Sequence, residues 1–415
     1  MHPRERRTTR RQFLFASGGT IAAISGADGL IRAADAFGAT LSPPLMGPGG
    51  IPLARRDHPV TLPIYSGNEP IASGKSPERG PLQVFNWADY INPQVVKDFE
   101  KAYKVQVRIT TFENEEEALA KLTSGQAGFD VWFPTVDYLS RAVAGKLVQP
   151  LNHHYLPNLK NVWASLQSPF YDVRSQYTVP YVIYTTGIAW RNDKVKTAPT
   201  SFANPYDAFW HGHPYSGKVA ILDDQREALA LALLHRHVGD VNTESKALVN
   251  RAASYLKQLT GLVNVKTNVN DYTDLPAWKT WLTQAWSGDM AGVSSYMPKG
   301  LPVDVISYWR PQKHAVVGSD MITVLRGAKN PVLAHHFLNF VLDNKRGLEN
   351  LSWLGYIPPL KVVDPARLVA QGYIPKNLES TVVRESDFKH GLTLLPLTTQ
   401  GQSTWQDAWS AFKAG

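Results

Sequence analysis

Leu82-Gln83-Val84-Phe85-Asn86, then Pro93–Tyr103, Val105–Thr111, Glu115–Gly125 and Phe129-Asp130-Val131-Trp132-Phe133-Pro134 make up the stretch that decides the fold. The short apolar pieces have the length and β-branched or aromatic content of strands, and the longer pieces have helical amphipathic spacing. Strand, helix, strand, helix, strand is the signature of βαβ units around a mainly parallel sheet. The second helix carries Glu115, Glu116 and Glu117 in its first turn, where the helix dipole favours acids, and ends near Ser124-Gly125. The third strand is closed by Pro134, so its end delivers the next loop to one edge of the sheet.

Downstream, Tyr177–Ile188 reads as a further strand. It leads into a segment with its own helices, Arg226–His237 and Ser245–Leu259. Apolar Val303–Ile306 and Asp320–Leu325 precede a helix at Pro331–Asn344, and no repeat of solenoid length is present. Upstream, residues 40–80 are rich in proline and glycine and have little periodicity, which reads as a linker or a loosely draped arm. Thr9-Arg10-Arg11-Gln12-Phe13-Leu14, followed by a weakly apolar Gly/Ala-rich run to about Ala34, resembles a twin-arginine export signal. That run is a poor membrane span, because glycine, serine, Asp28 and Arg32 interrupt it.

A chain of 415 residues, 43% hydrophobic and 19% charged, can bury a substantial core divided among two or three lobes. The formal charge of +8 is unevenly placed: six arginines against Glu5 and Asp28 put +4 in residues 1–34 and leave +4 for everything after them. No later basic cluster is interleaved with aromatics, which argues against nucleic acid as a partner. The chain has no cysteine, which excludes disulfides, thiolate chemistry, cysteine-based zinc sites and a lipid-modified N-terminal cysteine.

Several blocks together resemble the periplasmic spermidine/putrescine-binding proteins of ABC importers. They are Val84-Phe85-Asn86-Trp87-Ala88-Asp89-Tyr90-Ile91, Phe112-Glu113-Asn114-Glu115 with Ala120-Lys121-Leu122, and the Phe129–Pro134 strand. Further on come Val179-Pro180-Tyr181, Leu222-Asp223-Asp224-Gln225-Arg226-Glu227, Gly318-Ser319-Asp320-Met321 and Leu354-Gly355-Tyr356-Ile357-Pro358-Pro359. The resemblance runs from about residue 81 to 412. It implies an α/β, type II periplasmic-binding fold in which two α/β lobes joined by crossover strands close on a ligand. The expected division is a signal segment at 1–34, a linker or arm at 35–80, a first lobe of 81–187 plus about 294–325, and a second lobe of 188–293 plus about 326–415. The implied function is capture of a polyamine or related small cationic amine outside the cytoplasm, for delivery to the permease subunits of an ABC importer. A monomer without cofactor, metal or catalytic residues is expected.

An amine with an ammonium at each end and methylenes between needs carboxylates for its ends and aromatic faces for its middle. The resemblance puts Trp87 and Asp89, in the loop after the first strand, in the cleft; read from the residues alone, Trp87 is an ordinary core or lid aromatic and Asp89 a helix cap. Tyr138 lies in the loop after the third strand and is the better ligand contact there, with the neighbouring Asp137 an N-cap. Asp224 and Glu227, one helical turn apart, can both face the cleft, and the same pair fits a capping box. Asp320 matches an acidic ligand position, Glu349 a polar one, and an exposed helical glutamate is the ordinary alternative for the latter. Where such proteins carry a tryptophan and an acid before the crossover, the chain reads Gly292-Val293-Ser294-Ser295-Tyr296-Met297. Tyr296 supplies an aromatic there without a carboxylate, which points to a ligand with fewer charges than spermidine.

Other classes fit less well. The pairs His153-His154, His211-Gly212-His213, His235-Arg236-His237 and His335-His336 lack the His-Glu-x-x-His spacing of a catalytic zinc helix. No Gly-x-Ser-x-Gly elbow and no phosphate-cradling loop occurs. The serious alternative is a binding protein for an amino-acid derivative, an opine or a sugar, since sugars also stack on tryptophan and the chain has 12.

Overall fold

A computed structural model of the chain describes residues 45–112, 115–125 and 128–415, apart from the side chain of Glu116. The segment expected as an export signal, residues 1–34, lies outside them. Ten strands form one sheet: β1 (Leu82–Trp87), β2 (Val107–Phe112), β3 (Val131–Trp132), β4 (Val148–Gln149), β5 (Thr178–Arg191), β6 (Val219–Leu222), β7 (Lys266–Asn268), β8 (Leu282–Trp286), β9 (Ile306–Trp309) and β10 (Val316–Leu325). The order is β2-β1-β3-β10-β5-β8-β6-β7, with β4 beside β10 and β9 beside β5. Strands β1, β2 and β3 are mutually parallel, as the alternating pattern predicts, and β6 is parallel to both β7 and β8.

Two long antiparallel strands join these halves. The first part of β5 pairs with β10 from Thr178 to Thr186, and its last part pairs with β8 and β9 from Thr186 to Arg191. Thirteen of the fourteen residues of β5 are buried, so it runs through the middle of the molecule. Its entry is fixed by Asp172, whose buried carboxylate accepts from the backbone N–H groups of Gln176, Tyr177 and Thr178 and from the Thr178 hydroxyl.

The cores follow the same division. The larger contains Val84, Phe85, Phe99, Trp132 and Phe337; the smaller contains Val219, Ile221, Leu229, Leu256, Trp405 and Phe412. This packing draws the lobe boundary differently from the sequence-based division of the tail. Helix Pro331–Val341 buries Leu333, Ala334, Phe337 and Leu338 in the larger core, and Phe99 meets Phe337 edge-on at 5.1 Å. Residues up to Leu395 stay with that core, and only Leu397 onward joins the smaller one, through helix Thr399–Lys413. Periodicity shows that the tail is helical but carries no information on which sheet it covers. The apolar run Val303–Ile306 begins as a 3-10 turn, Val303–Val305, and passes into β9 at Ile306.

The described part of the proline/glycine-rich arm is bound to the first lobe. Ile51, Leu53, Val60 and Leu62 are buried. Val60 exchanges backbone hydrogen bonds with Phe170 and Val173, and Pro63 accepts from the Tyr177 hydroxyl at 2.6 Å. Glu78 accepts from the N–H groups of Val332 and Leu333 at the start of helix Pro331–Val341, satisfying donors that a helix leaves open.

Candidate functional site

The carboxyl ends of parallel strands face a cavity, the usual place for a ligand in open α/β sheets. Two adjoining chambers lie there, of about 150 and 570 Å³. Trp87, at the last position of β1, borders both. Its indole N–H donates to Phe133 O at 3.1 Å and its ring leans on Phe112 at 4.5 Å, so its orientation is set from two sides. Asn86 beneath it is fully buried and accepts from the Trp87 N–H.

The smaller chamber gathers three carboxylates. Asp320 sits on β10 at a register shift opposite β5, and it accepts from the Tyr90 hydroxyl at 2.5 Å. Asp289 stands in the short helix after β8 and accepts from the Tyr356 hydroxyl at 3.3 Å. Asp224 enters from the opposite lobe at the head of helix Gln225–His235. Aromatic rings form the walls: Tyr90 and Tyr356 meet edge-on at 5.6 Å, Tyr356 and Tyr184 at 5.7 Å, and Tyr184 and Trp286 at 6.5 Å. Burial and the charge of Asp320 hold the Tyr90 hydroxyl well above its ordinary range, so it remains a donor.

The larger chamber continues past Asp224 to Glu227, Asp137 and Tyr138. Asp224 is the helix N-cap, accepting from the N–H groups of Arg226 and Glu227. Glu227 does not reach back as a capping box requires. Its Oε1 instead accepts from the Thr186 hydroxyl at 2.8 Å and the Trp286 indole at 3.1 Å, while Oε2 is buried with no partner among the described residues. Burial, reinforced by the charge of Asp224, pushes Glu227 up to about 7. Asp137 is likewise raised by burial. The N-cap of its helix is Thr135 rather than Asp137, and the Thr135 hydroxyl donates to Asp137 at 2.7 Å.

Of the residues expected in the cleft, Trp87, Tyr138, Asp224, Glu227 and Asp320 converge there. Three do not. Asp89 is exposed on the loop at a left-handed φ of 52° and lines neither chamber; Ala88 and Tyr90 do. Tyr296 is 38% exposed and packs edge-on against Tyr272, which itself borders the cavity. Glu349 is paired with Arg346 at 2.7 Å and with Lys345 on an outer helix, while its backbone carbonyl holds Asn92.

The carboxylate that the sequence reading found missing is present. Trp286 ends β8 and Asp289 follows three residues later, both facing the smaller chamber, so Gly292–Met297 lies one turn too far along to play this part. The inference of a ligand with reduced charge loses its basis. Tyr90, Tyr184, Trp286, Asp289 and Tyr356 are among the lining residues that sequence reasoning missed. Tyr90 and Tyr356 lay inside the quoted blocks and Tyr184 inside the expected strand Tyr177–Ile188, whereas the mixed sequence of Leu282–Trp286 gave no strand signal to mark Trp286 and Asp289.

Residues 94–373 match the profile of a family described as bacterial extracellular solute-binding protein. The chain belongs to that family. It is a family of extracellular binding proteins rather than enzymes. Relatives of this bacterial extracellular solute-binding protein include the putrescine/cadaverine-binding protein of Pseudomonas aeruginosa, 26% identical over 66% of this chain and 78% of that one. Another is the putrescine-binding periplasmic protein PotF of Escherichia coli, 28% identical over 64% and 74%. Among solved structures, the spermidine/putrescine substrate-binding protein PotD of Streptococcus pneumoniae superposes with a TM-score of 0.66 at 21% identity, covering 80% of this chain and 98% of that one. The fold is therefore the two-lobed, type II periplasmic-binding one.

Proposed function

We propose that this protein binds a linear amine, a polyamine or a close relative, in the cleft between its lobes and presents it to the permease of an ABC importer. One observation carries the reading: Asp224, Asp289 and Asp320, drawn from both lobes, surround a cavity of about 150 Å³ walled by Trp87, Tyr184, Trp286 and Tyr356. Carboxylates at opposite walls pair the ammonium ends, and aromatic faces take the methylenes and add cation–π attraction. A neutral sugar would leave these acids desolvated without counter-charges, which is costly. The names of the relatives point the same way. The Thr9–Leu14 segment supports export of the folded chain by the twin-arginine route, and monomeric action suits a site built from one chain.

The test is a thermal-shift and calorimetric screen of the purified protein against putrescine, spermidine, γ-aminobutyrate and glucose. Because a ligand selective for the native state raises the melting temperature by mass action, the amines shift it and glucose does not. A shift with glucose alone overturns the ligand class.

A further inference from the structure

Tyr184 on β5 and Gly318 on β10 stand directly opposite each other on the two crossover strands. A Cβ added at Gly318 would lie 2.1 Å from Cζ, 2.3 Å from Cε2 and 2.4 Å from the hydroxyl of Tyr184. The ring therefore lies over the glycine, in space that any other residue would fill. Space alone demands glycine here, since Gly318 is not among the residues at positive φ.

The ring sits at a boundary. Tyr184 borders both chambers, together with Trp87, Asp224 and Trp286, whereas Gly318 borders only the larger. Edge contacts to Tyr356 and Trp286 hold it from the side of the smaller chamber. On the amine reading, a short diamine finds carboxylates at Asp224, Asp289 and Asp320 without passing the ring. A longer chain must pass it to reach Glu227 and Asp137 in the chamber of about 570 Å³.

We propose that Tyr184, seated on Gly318, is the partition between the chambers and sets the chain length of the amine that the site prefers. Removing the ring joins the chambers and favours longer amines. Adding a side chain at 318 unseats the ring and changes the preference too.

The experiment measures Kd for putrescine and spermidine by calorimetry on the full exported chain and on Tyr184→Ala, Tyr184→Phe and Gly318→Ala, each first checked for an intact melting transition. The spermidine preference, taken as the ratio of the two Kd values, rises at least tenfold in Tyr184→Ala. It stays near the wild-type ratio in Tyr184→Phe, which keeps the ring, and moves severalfold in Gly318→Ala. Ratios within twofold of wild type in both alanine variants overturn the partition while leaving amine binding standing. Failure of the wild-type protein to bind either amine overturns the amine reading and the partition with it.

Discussion

Glu227 offers a test that separates a working carboxylate from a merely buried one. In the ligand-free cleft burial and the charge of Asp224 bring it to about 7, against an ordinary glutamate value of 4.5. An ammonium placed against it requires the ionised form, so binding expels a proton whenever the free protein holds one. The direction follows: affinity is complete above about pH 7 and falls as pH drops below it. Taking about 7 for the free state and an ionised carboxylate in the bound one, affinity weakens about 25-fold between pH 7.5 and 5.5, and about three-quarters of a proton is released per ligand at pH 6.5. Alkylammonium groups stay charged throughout that window, so the ligand contributes nothing to the change. Folding of the ligand-free protein follows the opposite sense. The penalty for ionising Glu227 is absent below about pH 4.5, grows as pH rises and is complete above 7, reaching about 3 kcal/mol. The assay is calorimetry with spermidine, long enough to reach Glu227, from pH 5.5 to 8 in buffers of different ionisation enthalpy, beside Glu227→Gln. The variant is expected to bind more weakly at pH 7.5, to lose the proton release, and to be more stable than wild type when ligand-free at pH 8. An affinity flat across this range in wild type, or an unchanged profile in Glu227→Gln, refutes the reasoning.

Asp289→Asn weakens putrescine binding about 10- to 100-fold, the effect of losing a charge-assisted bond of roughly 1.5–3 kcal/mol. Glu349→Gln leaves Kd within twofold, because Arg346 and Lys345 hold that carboxylate outside the cleft; equal effects of the two substitutions would show that the chambers are not the binding site. Leu62→Ala, in the arm, costs about 2–4 kcal/mol of stability in chemical denaturation, since its side chain is 3% exposed within the larger core. A cost below about 0.5 kcal/mol would mean that the arm is not part of the folded unit.

The fold was legible because its defining signals are local. Leu82–Asn86 and Pro93–Tyr103 declare strand and helix within their own length, and the structure begins and ends these elements within a residue of the pattern. The arm was not legible, because Ile51, Ala54, Val60 and Leu62 are spaced irregularly and fold by fitting a surface that other residues make. The tail failed for the same reason: Phe337 is plainly apolar in sequence, but only the path of β10 decides that it meets Phe99.

At the site the division lies between residues that end strands and residues that approach from elsewhere. Trp87 closes a strand that periodicity finds, and strand ends in such sheets point to the ligand. Asp89 was drawn in by its neighbours, yet its backbone turns left-handed and the chain presents Ala88 and Tyr90 instead. Trp286 and Asp289 carry no signal in the pattern because β8 is only five residues long, Leu282–Trp286, and its central Thr283-Gln284 dilute the apolar run that would mark it. Those two residues are polar for a structural reason. Gln284 is buried and bonds Leu222 N–H and the Glu227 carbonyl, tying β8 to β6 and to the helix that carries Asp224. The feature that hides the strand from a hydrophobic pattern is thus the one that fixes Trp286 and Glu227 at the same wall, where the indole N–H reaches the Glu227 carboxylate.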